Sequence, residues 1–247
     1  MFYIVIVGTA GSGKSTLTSA LLNYLLDNEV SAIAVNLDPA VEVLPYTPDV
    51  DVRDYVSIYE LLKEGYGPNA ALVESYDRLI TRVEELVDEI NSVSADCVII
   101  DTPGQMEIFA FRDTGPAIIK SIISDSNSIL LFLIDGVQAV DPVNFVSYLF
   151  LAGSVHFRLV QPQVNVITKI DLLKKQDIDR ILSYLEDPSI VIDDLYTSGR
   201  DLLWSEDELN VLIDKLMIMD TVLVSSTKMI GFENLYATIQ RVVGGGG

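Results

Sequence analysis

Residues Gly8-Thr9-Ala10-Gly11-Ser12-Gly13-Lys14-Ser15 spell G-x-x-x-x-G-K-S, and few octapeptides restrict a fold as tightly. Glycines let a backbone curl until successive N–H groups face one anion, and the helix N-terminus behind them adds partial positive charge. Such a loop needs a strand before it and a helix after it. Both are readable here. Met1 to Val7 is an apolar, β-favouring run of the kind buried in a parallel sheet. Thr16 to Leu26 carries Leu17, Leu21, Leu22 and Leu25 at helical spacing. Gly11, Ser12, Gly13, Lys14, Ser15 and Thr16 are therefore expected to cradle nucleotide phosphates. In this motif Lys14 reaches the β- and γ-phosphates and the Ser15 hydroxyl takes one Mg²⁺ position.

Strand and helix patterns alternate along the rest of the chain. Val30 to Val35 reads as a strand that runs into Asp38-Pro39-Ala40. Val41 to Val52 has no clear period and is expected to be a mobile loop. Ser57 opens a short helix with a capping box to Glu60. Apolar residues from Leu72 to Ile90 recur at spacings of three and four, predicting one long helix from about Ala70 to Val93. Strands follow at Ala95–Ile100, Ser128–Ile134, Gln163–Thr168 and Thr221–Val224, separated by helical stretches. The segment from Lys174 to Asp220 reads as amphipathic helix broken near Pro188 and Ser198-Gly199, with Leu202, Leu203 and Trp204 as packing residues. This alternation predicts one α/β domain over residues 1–243: a three-layer, doubly wound, mostly parallel sheet with helical insertions around 41–94 and 174–220. Gly244 to Gly247 is expected to be a flexible tail.

Composition narrows the partners. The chain has 36 acidic and 16 basic residues, a formal charge of −20. No basic stripe is available to neutralise nucleic-acid phosphates, so direct nucleic-acid binding is not expected. Cys97 is the only cysteine, which excludes an internal disulfide and a cysteine metal site, and its apolar setting predicts a buried, inert thiol. His156, the only histidine, lies near a helix end and is expected to cap or to face solvent. No apolar stretch is long enough to cross a bilayer, and no basic leader precedes the first strand. A cytoplasmic protein is expected.

The chemistry sits at strand ends, where open α/β sheets place their ligand contacts. Asp101 closes a buried strand and begins D-x-x-G. Its carboxylate is suited to hold Mg²⁺ through water opposite Ser15, and Gly104 can offer an N–H to the γ-phosphate. Thr168-Lys169-Ile170-Asp171 closes a later strand. A carboxylate at Asp171 can accept from guanine N1–H and the exocyclic amine, groups that adenine lacks in that arrangement. An unpaired buried carboxylate costs about 1–3 kcal/mol, so GTP and GDP are expected over the adenine nucleotides. Lys169 is expected to lay its stem across the loop and the base. Thr168 stands where the usual guanine motif has Asn. Asp135 has no role beyond a turn.

In order, G-x-x-x-x-G-K-S, Asp38-Pro39-Ala40, Gly67-Pro68-Asn69, Asp101-Thr102-Pro103-Gly104-Gln105 and Thr168-Lys169-Ile170-Asp171 resemble the motifs of the GPN-loop GTPases over residues 1 to 230. The resemblance implies a homodimer, or a heterodimer with a paralogue, in which the Gly67-Pro68-Asn69 loop enters the partner's nucleotide site. The Asn69 amide would then help stabilise the transferred phosphate. Related dimeric P-loop proteins often carry a lysine at the loop's second position; Thr9 stands there in this chain. Asp38 resembles a switch aspartate that orients the attacking water, and Gln105 stands where Ras-like enzymes carry their water-orienting glutamine; both are candidates. Ser225-Ser226-Thr227-Lys228 resembles the segment that contacts the guanine oxygen, with Ser226 at its centre. Relatives are linked to RNA polymerase II assembly and nuclear import, the one client the resemblance suggests. The expected activity is Mg²⁺-dependent hydrolysis of GTP. Two rivals remain, a GTP-binding scaffold with little turnover and an ATP-dependent P-loop kinase or partitioning ATPase.

Overall fold

A computed structural model describes residues 1–197 and 204–244. The Ser198-Gly199 break, Leu202, Leu203 and the last three glycines of the expected tail lie outside them. The chain runs β1 (Phe2–Gly8), α1 (Lys14–Asp27), β2 (Ala32–Asn36), β3 (Val50–Asp51), α2 (Ile58–Lys63), α3 (Pro68–Ile80), α4 (Val83–Ser92), β4 (Cys97–Asp101) and α5 (Met106–Phe109). It continues through α6 (Thr114–Ile123), β5 (Ser128–Asp135), α7 (Gly136–Ala139), α8 (Pro142–Leu159), β6 (Gln163–Thr168), α9 (Lys175–Glu186), α10 (Pro188–Thr197), α11 (Glu206–Leu216), β7 (Thr221–Leu223) and α12 (Phe232–Gly244).

The seven strands form one sheet in the order β3-β2-β4-β1-β5-β6-β7, and every pairing is parallel. The unbroken apolar run of β1 now has its reason. Tyr3, Val5 and Val7 face one core, Ile4 and Ile6 the other, and all are buried. The second core is closed by α1 and α12 through Leu17, Leu21, Leu25, Leu235 and Ile239. The first is closed by the helices from α3 to α11, with Tyr76, Phe109, Phe132 and Phe145 fully buried. Each such aliphatic or aromatic side chain contributes about 1.5–3 kcal/mol of apolar burial. Helices thus cover both faces of a parallel sheet, the expected doubly wound class. Cys97 is buried in the second core, and burial pushes its thiol pKa up, as expected of an inert cysteine.

Three expectations are corrected. The long helix over 70–93 is two helices. Thr81 Oγ1 bonds back to the Arg78 carbonyl at 2.7 Å and ends α3, and Arg82 leaves helical geometry at φ −120° to restart α4. The apolar period continues across the break, so the pattern alone hides it. The 41–52 loop ends in β3, a two-residue edge strand paired with β2 through Val35–Val50 and Asn36–Asp51. Gly244, expected in the tail, closes α12.

Between α5 and α6 the backbone is packed without slack. A Cβ on Gly115 would lie 2.0 Å from the Phe109 carbonyl oxygen. Gly115→Ala is therefore expected to destabilise the fold by about 1–3 kcal/mol. Thermal unfolding checks this; an unchanged Tm would show that the α5–α6 turn yields freely.

Candidate nucleotide site

The strands bring their carboxyl ends to one edge in register. Ile6 and Asn36 flank Asp101 on neighbouring strands, and Asp135 aligns with Thr168. The phosphate loop leaves β1 at the centre of this edge. Gly11 and Gly13 have φ of +76° and +97°, which an L side chain would strain, and they turn the loop into α1. Gly8 serves a different need: a Cβ there would lie 2.7 Å from Ser12 Oγ and 2.9 Å from Leu133. Lys14 is buried and its ammonium donates to the Gly8 and Thr9 carbonyls at 3.0 and 3.1 Å. Burial lowers its pKa, while the Asp101 and Asp38 charges raise it. Among the described residues Ser12 Oγ is buried with no partner, an unsatisfied group that an incoming phosphate oxygen would satisfy.

Asp101 is 1% exposed at the end of β4. One carboxylate oxygen accepts from the Tyr46 phenol at 2.9 Å, and the other, also buried, has no hydrogen-bond partner within 3.5 Å among the described residues. Burial raises its pKa to about 6, against the pull of the Ser15 and Tyr46 hydroxyls and the Lys14 charge. Among the described residues no group of three or more His, Cys, Asp or Glu gathers to hold a metal. The Ser15 hydroxyl beside the buried, unbonded Asp101 oxygen is a donor set that fits Mg²⁺, which keeps several waters and takes one or two protein groups plus phosphate oxygens. Ser15 and Asp101 are the residues that would hold it.

Tyr46 escaped the sequence reading. Its segment is irregular up to β3, as the missing period predicts, and carries three ties to the rest of the domain. Ser19 Oγ donates to the Pro45 carbonyl at 3.0 Å, Tyr46 to Asp101, and Arg53 Nη1 to the Val41 carbonyl at 3.1 Å. A tyrosine between two prolines was the available signal, since Pro45 and Pro48 stiffen the chain on either side of it.

Asp38 is fixed by its neighbours. Asn36 accepts from the Asp38 N–H at 3.0 Å and donates to the Asp38 carbonyl and to Asp51 at 3.1 and 2.9 Å. Asp51 in turn pairs with Arg53 at 2.6 Å. One Asp38 oxygen caps the Ala40 N–H at 2.9 Å. Burial raises the Asp38 pKa, and the Ala40 N–H, the Lys14 charge, the Gly104 N–H and the Arg53 charge pull it back. Asp38, Gly104 and Lys14 are thus mutual neighbours. A Cβ on Gly104 would be 3.3 Å from Ala10 Cα, so the D-x-x-G turn abuts the phosphate loop.

At the other end of the loop lies a cleft of about 230 Å³ lined by Gly13, Thr16, Thr168, Lys169, Asp171, Leu172, Ser226 and Thr227. Thr168 Oγ1 lies 2.8 Å from the Ser12 carbonyl, so the threonine anchors the phosphate loop from β6. Lys169, at φ +61°, reaches the Gly11 carbonyl at 2.5 Å and Asp135 at 2.7 Å. Asp135 therefore does more than turn the chain. It caps the Val137 N–H at 2.9 Å and holds Lys169 over the loop. Asp171 is gripped by the Ser225 hydroxyl at 2.6 Å and the Thr227 hydroxyl at 3.1 Å. These bonds, Ser225 first, hold its carboxyl below the usual range. Ser226 lines the cleft while its neighbours on either side do the gripping.

Two candidates stand apart. Gly67, Pro68 and Asn69 are exposed at the start of α3, and the Asn69 side chain makes no hydrogen bond to the described residues. Gln105 is exposed at the cap of α5, also without a side-chain bond. His156 sits in the last turn of α8, its Nδ1 at 3.1 Å from the Gln161 carbonyl, a helix-end role as expected.

A strand–glycine loop–helix unit, a buried acidic strand end and an all-parallel sheet define a P-loop nucleotide-binding protein. A family model described as "conserved hypothetical ATP binding protein" matches residues 6–245. The chain is 40% identical over 186 residues to a GPN-loop GTPase of Pyrococcus abyssi, covering 74% of this chain and 73% of that one. It is 31% identical over 216 residues to GPN-loop GTPase 3 of Gibberella zeae, covering 83% and 71%. The crystal structure of the Pyrococcus abyssi GTPase in its apo form superposes with a TM-score of 0.85 at 33% identity, over 98% of this chain and 97% of that one. The chain belongs to the GPN-loop GTPase family.

Among the described residues no helix is long and apolar enough to cross a membrane. The Tyr46–Asp101 bond has a measurable pH signature. Asp101 titrates near 6 in the fold, above its ordinary value, so the folded chain binds the extra proton between about pH 4 and 6. Stability contributed by this residue therefore falls as pH rises through that window. The phenol partly offsets the loss by stabilising the ionised form. Tyr46→Phe is expected to cost about 1–3 kcal/mol at pH 7.5 and less at pH 5. Urea midpoints at the two pH values check it; an equal loss at both would mean that the phenol does not favour the carboxylate.

Proposed function

We propose that the protein hydrolyses GTP to GDP and phosphate with Mg²⁺, as a dimer whose nucleotide sites are completed across the interface. The observation that carries the reading is the convergence on one sheet edge of the phosphate cradle, the Asp101 and Asp38 carboxylates, and a clefted Asp171. Bound Mg²⁺ would neutralise developing charge on the phosphates. Lys14, already aimed along the loop, exchanges the Gly8 and Thr9 carbonyls for phosphate oxygens. Asp38 is held beside Gly104 and Lys14, where a carboxylate can orient a water against the γ-phosphate, and Gln105 on the next turn is the second candidate for that task. Asp171 selects guanine through its two accepting oxygens, held in place by Ser225 and Thr227.

Hydrolysis also needs a donor on the developing charge. Thr9 supplies no cation, and Lys14 is the ammonium lodged in the loop. Asn69 has a free amide, exposure and a place at the head of α3, as a residue donated to a second copy requires. The acidic, lone-cysteine composition agrees with a cytoplasmic setting.

Single-turnover hydrolysis of GTP, with Mg²⁺ or with chelator, tests the reading. Hydrolysis is expected only with Mg²⁺, and Asn69→Ala is expected to slow it by about 10²-fold with little change in GTP affinity. A dimer that binds GTP and never cleaves it would leave a nucleotide-binding scaffold instead. Competition binding tests the base. Asp171→Asn is expected to weaken guanine nucleotides by about tenfold or more and to favour xanthine nucleotides; an unchanged guanine preference, or ATP preference in the parent, would remove Asp171 from base recognition.

A further inference from the structure

Helix α3 starts at the exposed Gly67-Pro68-Asn69 turn and, two turns on, sends Tyr76 into the interior at 1% exposure. The Tyr76 phenol donates to the Leu37 carbonyl at 3.0 Å. Leu37 directly precedes Asp38, and its own N–H is held by the Asp101 carbonyl at 2.9 Å. The Tyr76 ring meets Phe109 edge-on, with centroids 5.5 Å apart. Phe109 closes α5, and its N–H donates to the Gln105 carbonyl at 3.2 Å. Tyr76 thus links its own helix, which carries Asn69, to the strap of residues 37–40 that carries Asp38 and to the short helix that follows Gly104 and Gln105.

Packing alone does not account for an oxygen at this depth. Phenylalanine would fill the same core without a hydroxyl to satisfy, and a buried hydroxyl is costly unless bonded. The strap's other ties run to its own turn, where Asn36 and Ala40 hold Asp38, and to the neighbouring strand end, where the Asp101 carbonyl holds the Leu37 N–H. The Tyr76 bond is the one that reaches from the strap to α3. Burial and the nearby Asp38 charge both push the phenol's pKa up, so it remains a neutral donor throughout the working range.

We propose that Tyr76 is a positioning residue that couples the Asp38 strap to helix α3, so that a shift of the strap on nucleotide binding or cleavage reaches the Asn69 end of the helix. The roles given to Asp38 and Asn69 rest on the proposed function; the coupling itself does not.

Tyr76→Phe keeps the ring and removes the bond. Amide hydrogen exchange would be followed at Asp38 and Ala40 on the strap, and at Ala71, whose N–H closes the first turn of α3 onto Gly67 at 2.8 Å. It is measured without nucleotide and with a non-hydrolysable GTP analogue plus Mg²⁺, beside steady-state kinetics. In the parent, the analogue is expected to change exchange at both segments together. In Tyr76→Phe, strap exchange without nucleotide should be at least about tenfold faster and the Ala71 response lost. kcat should fall by about tenfold with KM within about twofold. Strap exchange within about twofold of the parent, with the Ala71 response intact, overturns the proposal. A parent chain that cleaves no GTP overturns the function, while the exchange readout still decides the coupling. Should the variant fail to fold, the Leu37 carbonyl carbon shift in the parent, read by NMR, replaces it. A shift that moves with Ala71 exchange on adding the analogue upholds the coupling; a static one beside a changing Ala71 overturns it.

Discussion

The pairing of β1 with β4 is the constraint on which the site depends. Ile6 sits opposite Asp101 in a parallel ladder, and both strands are buried on both faces. A slip of one residue would exchange the two cores along the whole of β4 and would move Asp101 away from the phosphate loop. The hydrophobic cost of the slip is therefore what fixes a carboxylate beside Lys14. Thr102 adds a local pin, its hydroxyl donating to the Ile6 carbonyl at 2.7 Å. The chemistry is placed by sheet register, and the loops inherit their positions from it.

The polar network around the loop follows from the same arrangement. An all-parallel sheet gathers its strand ends at one edge, so side chains far apart in sequence meet there. Thr168 reaches Ser12, Lys169 reaches Gly11, and Asp135 steadies Lys169 from the adjacent strand. The loop is clamped from β5 and β6 before any ligand arrives, which lowers the ordering cost of binding. Against this, Ser12 Oγ and one oxygen of Asp101 are left buried and unbonded.

Much of this was legible in the sequence, for reasons that differ by element. The strands stood out because burial on both faces writes an unbroken apolar run, and β6 matched its expected bounds of Gln163–Thr168. The phosphate loop, Asp101 and Asp171 stood out because their residue types at strand ends are the ones a nucleotide's chemistry would call for, and the fold does place them at strand ends. What stayed hidden depends on tertiary contact. The break between α3 and α4 leaves the apolar period intact, because both halves bury the same side. Tyr46 and Tyr76 act through single hydroxyl bonds to residues 55 and 39 positions away, and no local pattern announces such a partner. Asp135 looked like a turn because a capping aspartate and an ion-pairing one have the same neighbours in sequence.

The break at Thr81–Arg82 has a mechanical meaning. Arg82 is anchored to the Tyr55 carbonyl at 2.8 Å and lies over the Tyr55 ring, so the head of α4 is riveted to the body of the domain. Helix α3, on the other side of the break, is a rod of roughly 20 Å by its helical rise. The joint divides the anchoring: α4 is held at its head through Arg82, while α3, which bears the Gly67-Pro68-Asn69 turn, is held through its own buried Ala71, Leu72, Tyr76 and Leu79.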